Sequence, residues 1–219
     1  MACEGVIFDL DGTLLDTLED LADSMNCALA KVGCPGHPVE AYKTMVGDGV
    51  KTLAMRALPP HARDEQTVAT VAAMRAEYAL RWKNKTRPYP GIPELLDALT
   101  ARGVRMAVLS NKPHDATVDC VRVLLPKWTF SVVQGQVDSM PKKPDPAGAL
   151  AIARTWGVAP EEILYLGDTD TDMQTATAAG MVAVGVLWGF RDDTELRTNG
   201  ARHILKTPAD FLSLSDFRE

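Results

Sequence analysis

The chain has 219 residues, a net charge of -6 at neutral pH, 46% apolar residues and 24% charged ones, which excludes a disordered or collagen-like polymer and disfavours nonspecific attraction to nucleic acid or an anionic membrane. That length permits one large domain or a domain carrying a smaller insertion, and either can bury a sizeable core. Cys3, Cys27, Cys34 and Cys120 are scattered without a C-x-x-C pair, so reduced thiols and a cytoplasmic setting are expected rather than a disulfide framework or a zinc cluster.

The first element, in VIFDLDGTLLDT (Val6 to Thr17), is an apolar run that ends in Asp9 and Asp11 with Gly12 behind them. The two aspartates interrupt the only apolar stretch near the start, so no secretory leader is expected, and no run approaches the ~18 apolar residues of a membrane span. Leu18, Leu21, Ala22, Met25, Leu29 and Val32 then recur at helical spacing until Gly33. A short second helix follows over Val50 to Leu58, and a longer third one carries Val68, Val71, Ala72, Tyr78, Ala79 and Trp82. From Thr17 to about Lys85 nothing reads as a strand.

After RPYPGIP (Arg87 to Pro93), which suits a linker, helices alternate with short apolar runs. The strands are expected at Val104 to Ser110, Phe130 to Gly135, Glu162 to Gly167 and Met181 to Trp188, with helices starting near Pro113, Pro146 and Asp172. Asp145 is the expected N-cap of the second of these helices, with Pro146 in its first turn and Gly157 past its end. Such alternation predicts a parallel sheet with helices on both faces and ligands beyond the carboxyl ends of its strands.

Three of the strand ends carry polar residues. The first gives Asp9-Leu10-Asp11-Gly12-Thr13, the next Ser110-Asn111-Lys112, and the one at ILYLG gives Asp168-Thr169-Asp170-Thr171-Asp172, while Lys142-Lys143-Pro144 precedes the helix at Pro146. Singly, these have ordinary alternatives: D-x-D-G suits a turn, a lysine beside proline is usually solvated, and DTDTD could cap a helix. An EF-hand loop is excluded, because its sixth and twelfth positions would be Met173 and Ala179. Together, carboxylates, a hydroxyl, an amide and an ammonium in one crevice suit magnesium-assisted phosphoryl transfer.

In that order the motifs resemble the haloacid dehalogenase superfamily: DLDGTL its first motif, SN its second, KPDP its third and GDTDTD its fourth. The resemblance implies an α/β fold, a doubly wound parallel-sheet (Rossmann-like) core over 1–16 and 86–219, and a small inserted all-helical cap domain over 17–85. It makes Asp9 the nucleophile that forms an aspartyl-phosphate and Asp11 the general acid and base. Magnesium would be held by the carboxylates of Asp9 and Asp168 and by the main-chain carbonyl of Asp11. Ser110 and Asn111 would donate to the phosphoryl oxygens, Thr13 would belong to the substrate-binding groups, and Lys143 would neutralise phosphoryl charge. Asp172 would orient metal-bound water or Lys143. Lys142 is expected at the surface, and Asp170 is read as a helix N-terminal charge rather than a ligand.

A carboxyl acid at Asp11 favours phosphate esters, since dehalogenation has no alkoxide to protonate. The substrate decision falls to the cap, where TMVGDGVKTLAMRAL (Thr44 to Leu58) resembles the loop and helix of bacterial phosphoglycolate phosphatases, as do NKP (Asn111 to Pro113) and VGVLWGFR (Val184 to Arg191). Gly47, Asp48 and Gly49 are therefore expected to bind substrate, although Asp48 replaces an asparagine and would repel an anionic ester unless paired with Lys43, Lys51 or Arg56. The expected partner is a small phosphate ester such as phosphoglycolate, handled by a monomer or homodimer without nucleic acid or membrane. A phosphomutase, a pyrophosphatase, a nucleotide or sugar phosphate phosphatase, and a non-catalytic phosphate-binding protein are the alternatives.

Overall fold

The structure is a computed structural model that describes residues 3–215 and Phe217. The chain divides into two compact units, Met1–Leu15 with Pro88–Glu219, and Asp16–Arg87.

The first unit is built on a six-stranded sheet. Strands β1 (Gly5–Phe8), β4 (Arg105–Pro113), β5 (Val132–Gln136), β6 (Ile163–Gly167), β7 (Val182–Val186) and β8 (His203–Leu205) lie in the order β5-β4-β1-β6-β7-β8. Every pairing is parallel, and Val6 of β1 faces Met106 on one side and Leu164 on the other. β1, β6 and β7 are buried at every residue, which is why they read as unbroken apolar runs rather than alternating ones. Ile7, Ala107, Leu109 and Tyr165 pack in one core with Ile152 and Ala153 of α6 (Ala147–Trp156) and Met173 and Ala176 of α7 (Asp170–Ala178). Helices α4 (Ile92–Ala101), α5 (His114–Leu124) and α8 (Asp193–Thr198) complete the unit's α-helices among the described residues.

Several boundaries differ from the sequence expectation. β4 continues three residues past Ser110 to Pro113, with a register shift against β5 between Leu109 and Pro113. The short β8 and α8 were not anticipated, since three and six residues are too few for a periodic signal. The N-cap of α6 is Pro146, not Asp145, although the Asp145 carboxylate does accept from the Ala147 N–H at 2.9 Å.

The second unit holds α1 (Leu18–Lys31), a 3-10 helix (Val39–Thr44), α2 (Val50–Ala57) and α3 (Asp64–Arg81). Leu18, Leu21, Ala22, Met25, Ala28 and Leu29 form the buried stripe of α1. The two-residue strands β2 (Leu15–Asp16) and β3 (Arg87–Pro88) pair with each other. Asp20 of α1 is almost wholly buried, and its carboxylate accepts from Lys85 N–H at 2.9 Å, Thr86 N–H at 2.9 Å and the Thr86 hydroxyl at 2.8 Å. The chain leaving the unit is thereby pinned to its first helix.

Candidate active site

The strand order reverses at β1, because the chain passes through β4 and β5 on one side and then crosses to β6, β7 and β8 on the other. Parallel sheets leave a crevice at such a switch point, beyond the carboxyl ends of the strands. Asp9 follows β1 there, and its N–H donates to Leu166 O of the neighbouring strand at 2.9 Å. The turn behind it closes through Leu14 and Leu15 N–H groups, both donating to Leu10 O at 3.1 and 2.9 Å.

Lys143 is the hub of the site. Its Nζ donates to Asp9 Oδ1 at 2.8 Å and to Asp172 Oδ1 at 2.6 Å, and all three residues are buried. The lysine is held by its main chain: its N–H donates to Asn111 Oδ1 at 2.9 Å, and Asn111 Nδ2 donates to its carbonyl at 3.1 Å. The Asn111 amide, expected on the phosphoryl oxygens, is thus engaged as a clamp on Lys143. Asp172 is occupied at both ends, since Oδ2 accepts from the Thr169 N–H at 3.1 Å and hydroxyl at 2.6 Å in a capping box at the start of α7. Asp170 begins the same helix, whose positive end suits its charge. Lys142 is exposed.

Asp168 lies in a socket of small groups. Thr13 donates its hydroxyl to Oδ1 at 2.9 Å, and Phe190 donates its N–H to Oδ2 at 2.9 Å. Trp188 Nε1 in turn donates to Thr13 O at 3.0 Å. The packing demands glycine on both sides: a Cβ at Gly12 would lie 2.2 Å from Asp168 Oδ2, and one at Gly189 would lie 2.3 Å from its Cβ. Thr13 was expected among the substrate-binding groups, yet it is fully buried and its hydroxyl is committed to Asp168. It supports the carboxylate from behind.

Asp11 faces a second lysine. Lys112 Nζ donates to its Oδ1 at 2.9 Å and Oδ2 at 3.0 Å, with 4% of the lysine side chain exposed against 14% of the aspartate. Ser110 accepts from the Lys112 N–H at 3.2 Å, which fixes its oxygen and leaves its hydroxyl proton to donate elsewhere.

Four carboxylates, Asp9, Asp11, Asp168 and Asp172, therefore meet two ammoniums. Burial raises the Asp9 carboxyl from 3.8 to about 7, with Lys143 pulling it down and Asp172 and Asp11 pushing it up. Burial also raises Asp168 well above the usual carboxylate range, assisted by the charges of Asp172 and Asp9. For Lys143 burial opposes the charge, but Asp172 and Asp9 outweigh it and hold the ammonium well above its ordinary range. Carboxylate oxygens of Asp9, Asp168 and Asp172 come within 4.8 Å of one another, so this buried triad could hold a metal ion. Hard oxygen donors with an excess of two negative charges fit a divalent cation of the magnesium type.

The family model described as haloacid dehalogenase-like hydrolase matches residues 6–186. The chain belongs to that family. A phosphoglycolate phosphatase from Aquifex aeolicus (strain VF5) is 31% identical over 211 residues, covering 96% of each chain. One from Rhodospirillum rubrum (strain ATCC 11170) is 36% identical over 222 residues, covering 98% of this chain and 90% of the relative. A crystal structure from Lactobacillus delbrueckii subsp. bulgaricus superimposes with a TM-score of 0.91 at 30% identity, covering 96% of this chain and 97% of that one.

In this haloacid dehalogenase-like hydrolase the segment Gly47-Asp48-Gly49 lies between the 3-10 helix and α2. Gly47 and Gly49 have φ of 123° and 86°, a region that side chains resist, and Gly49 is the N-cap of α2. Of the three cations considered as partners for Asp48, Arg56 meets it at 2.6 Å, and Lys43 pairs with Glu40 at 2.9 Å. Arg56 also donates to Met45 O at 3.0 Å and so staples the loop. Sequence reasoning assigned no role to Lys112 or to the Phe190 N–H. Lys112 stands beside Asn111 in the same strand end, but which carboxylate it reaches depends on the β4 irregularity.

Proposed function

We propose that this hydrolase is a magnesium-dependent phosphomonoesterase working through an aspartyl-phosphate on Asp9, with phosphoglycolate or a similar small phosphorylated hydroxy acid as substrate. The observation that carries this reading is the buried Asp9, Lys143 and Asp172 bridge beside Asp168, at the carboxyl end of the switch-point strand. The names of the relatives support the substrate class.

An oxygen of the Asp9 carboxylate attacks phosphorus while the ester P–O bond breaks, and the departing alkoxide takes a proton from Asp11. Asp11 then takes a proton from water, whose oxygen bonds to phosphorus and releases Asp9 and phosphate. Lys143 balances phosphoryl charge, held in place by Asn111 and Asp172, and the Ser110 hydroxyl donates to a phosphoryl oxygen. The carboxylates of Asp9 and Asp168 and the main-chain carbonyl of Asp11 would hold magnesium, which would supply further neutralisation of that charge. We assign the helical unit as the cap and Gly47, Asp48 and Gly49 as its substrate-selecting loop.

The test is release of free phosphate from a panel of esters, with magnesium and with chelator. Phosphoglycolate should outperform pyrophosphate, sugar phosphates and nucleoside monophosphates, and turnover in oxygen-18 water should label the phosphate released. An isomeric sugar phosphate formed with little free phosphate would establish a mutase instead.

A further inference from the structure

The ordinary role for a buried lysine beside an aspartate is charge compensation. Lys112 does more than compensate, because its two ends reach two different parts of the site. Its N–H fixes the Ser110 oxygen at 3.2 Å, and its Nζ spans both oxygens of Asp11 at 2.9 and 3.0 Å.

The strand makes this possible. The register shift between Leu109 and Pro113 carries Ser110, Asn111 and Lys112 through an irregular stretch at the end of β4. Strict alternation would send successive side chains to opposite faces of the sheet. Here Asn111 holds Lys143 while Lys112 holds Asp11. The stretch is held on both sides: the buried Thr117 hydroxyl of α5 donates to Lys112 O at 3.2 Å, and a Cβ on Gly135 of β5 would come 2.7 Å from that same carbonyl. Asp11 sits in a turn, so its carboxylate takes its aim from the lysine rather than from a regular element.

We infer that Lys112 is a positioning residue for the Asp11 carboxylate, aligning it on the leaving oxygen, and that it links this alignment to the Ser110 hydroxyl. The inference rests on the proposed acid role of Asp11. An ammonium fixed by a strand narrows the arc through which the carboxylate swings, and misplacement of a catalytic group by about 1 Å costs on the order of a hundredfold in rate.

The experiment compares wild type, Lys112→Met and Lys112→Gln on acetyl phosphate, whose acetate departs without a proton, and on aryl and alkyl phosphates of rising leaving-group basicity. For both variants kcat on the alkyl ester should fall about tenfold or more relative to acetyl phosphate, part of the ~100- to 10,000-fold that general acid catalysis contributes, with KM little changed. In an Asp11→Asn background the Lys112 substitutions should add no further leaving-group dependence, since both changes remove one function. Equal losses on acetyl and alkyl phosphates would overturn the inference in favour of a structural ion pair. Unchanged kcat with a raised KM would overturn it in favour of a direct substrate anchor. Lys112→Gln keeps a neutral donor of similar length and carries the comparison if Lys112→Met does not fold. If Asp11→Asn alone shows no leaving-group dependence, the acid role itself fails; if it does and the Lys112 variants do not, only this inference fails.

Discussion

On the proposed mechanism Asp9 acts as a nucleophile in a place where burial and neighbouring carboxylates favour its protonated form. Lys143 at 2.8 Å counters this in part, and a divalent cation would complete the correction. Asp9→Asn should therefore reduce phosphate release to background while the protein, measured without magnesium, melts at or above the wild-type temperature, because one of several crowded carboxylates is gone. Retained turnover would refute the nucleophile assignment. The residues that were legible in the sequence are those whose position follows from chain order alone. Asp9, Asp168 and Lys143 each stand at a strand end or before a helix, so their convergence could be deduced. Thr13 and Asn111 show what chain order does not carry: their side chains bond to other members of the site, Asp168 and Lys143. Residue type and strand end do not say whether a hydroxyl points outward or backs a carboxylate.

At the scale of elements, long periodic segments were readable and short irregular ones were not. The stripe of α1 announced itself over four turns, whereas the 3-10 helix Val39–Thr44, α8 and β8 offer too few residues for a period to emerge. The loop before α2 lies between these cases, its glycines visible in sequence but its Arg56 staple not. The Arg56 and Asp48 pair is partly exposed and worth at most about 1 kcal/mol in stability. Arg56→Ala should accordingly leave the melting temperature nearly unchanged but remove the cation paired with Asp48, raising KM for phosphate esters whose leaving group carries a carboxylate more than for esters with an uncharged leaving group. Equal changes in KM across both would reduce the staple to a structural turn. Asp20 is the opposite case, a buried carboxylate with three donors from Lys85 and Thr86. Asp20→Ala should destabilise by about 1–3 kcal/mol through those unsatisfied donors, which thermal or denaturant unfolding would register.

At the scale of the whole molecule, the order β5-β4-β1-β6-β7-β8 brings acidic groups from distant parts of the chain to one crevice, so stability becomes linked to protons and, on the proposed reading, would be linked to a bound metal as well. Asp9 titrates near 7 in the folded chain against 3.8 as a free side chain, and Asp168 is displaced in the same direction. A carboxyl whose folded value is raised binds its proton more tightly when native. Its stabilising contribution is complete below the unfolded value and is lost as pH rises through the folded one. Without magnesium, these two groups should therefore make the protein progressively less stable across that window. A divalent cation competes with those protons, so its stabilising effect must grow as they leave. At a magnesium concentration of 100 Kd the gain is about 2.7 kcal/mol. For a protein of this size that corresponds to roughly 5–10 °C, taking about 2–4 °C per kcal/mol. The shift measured by thermal unfolding should be clearly larger at pH 8 than at pH 5, and Asp168→Asn should remove most of it at both. Equal shifts at the two pH values, or a full shift in Asp168→Asn, would place the cation somewhere other than this carboxylate cluster.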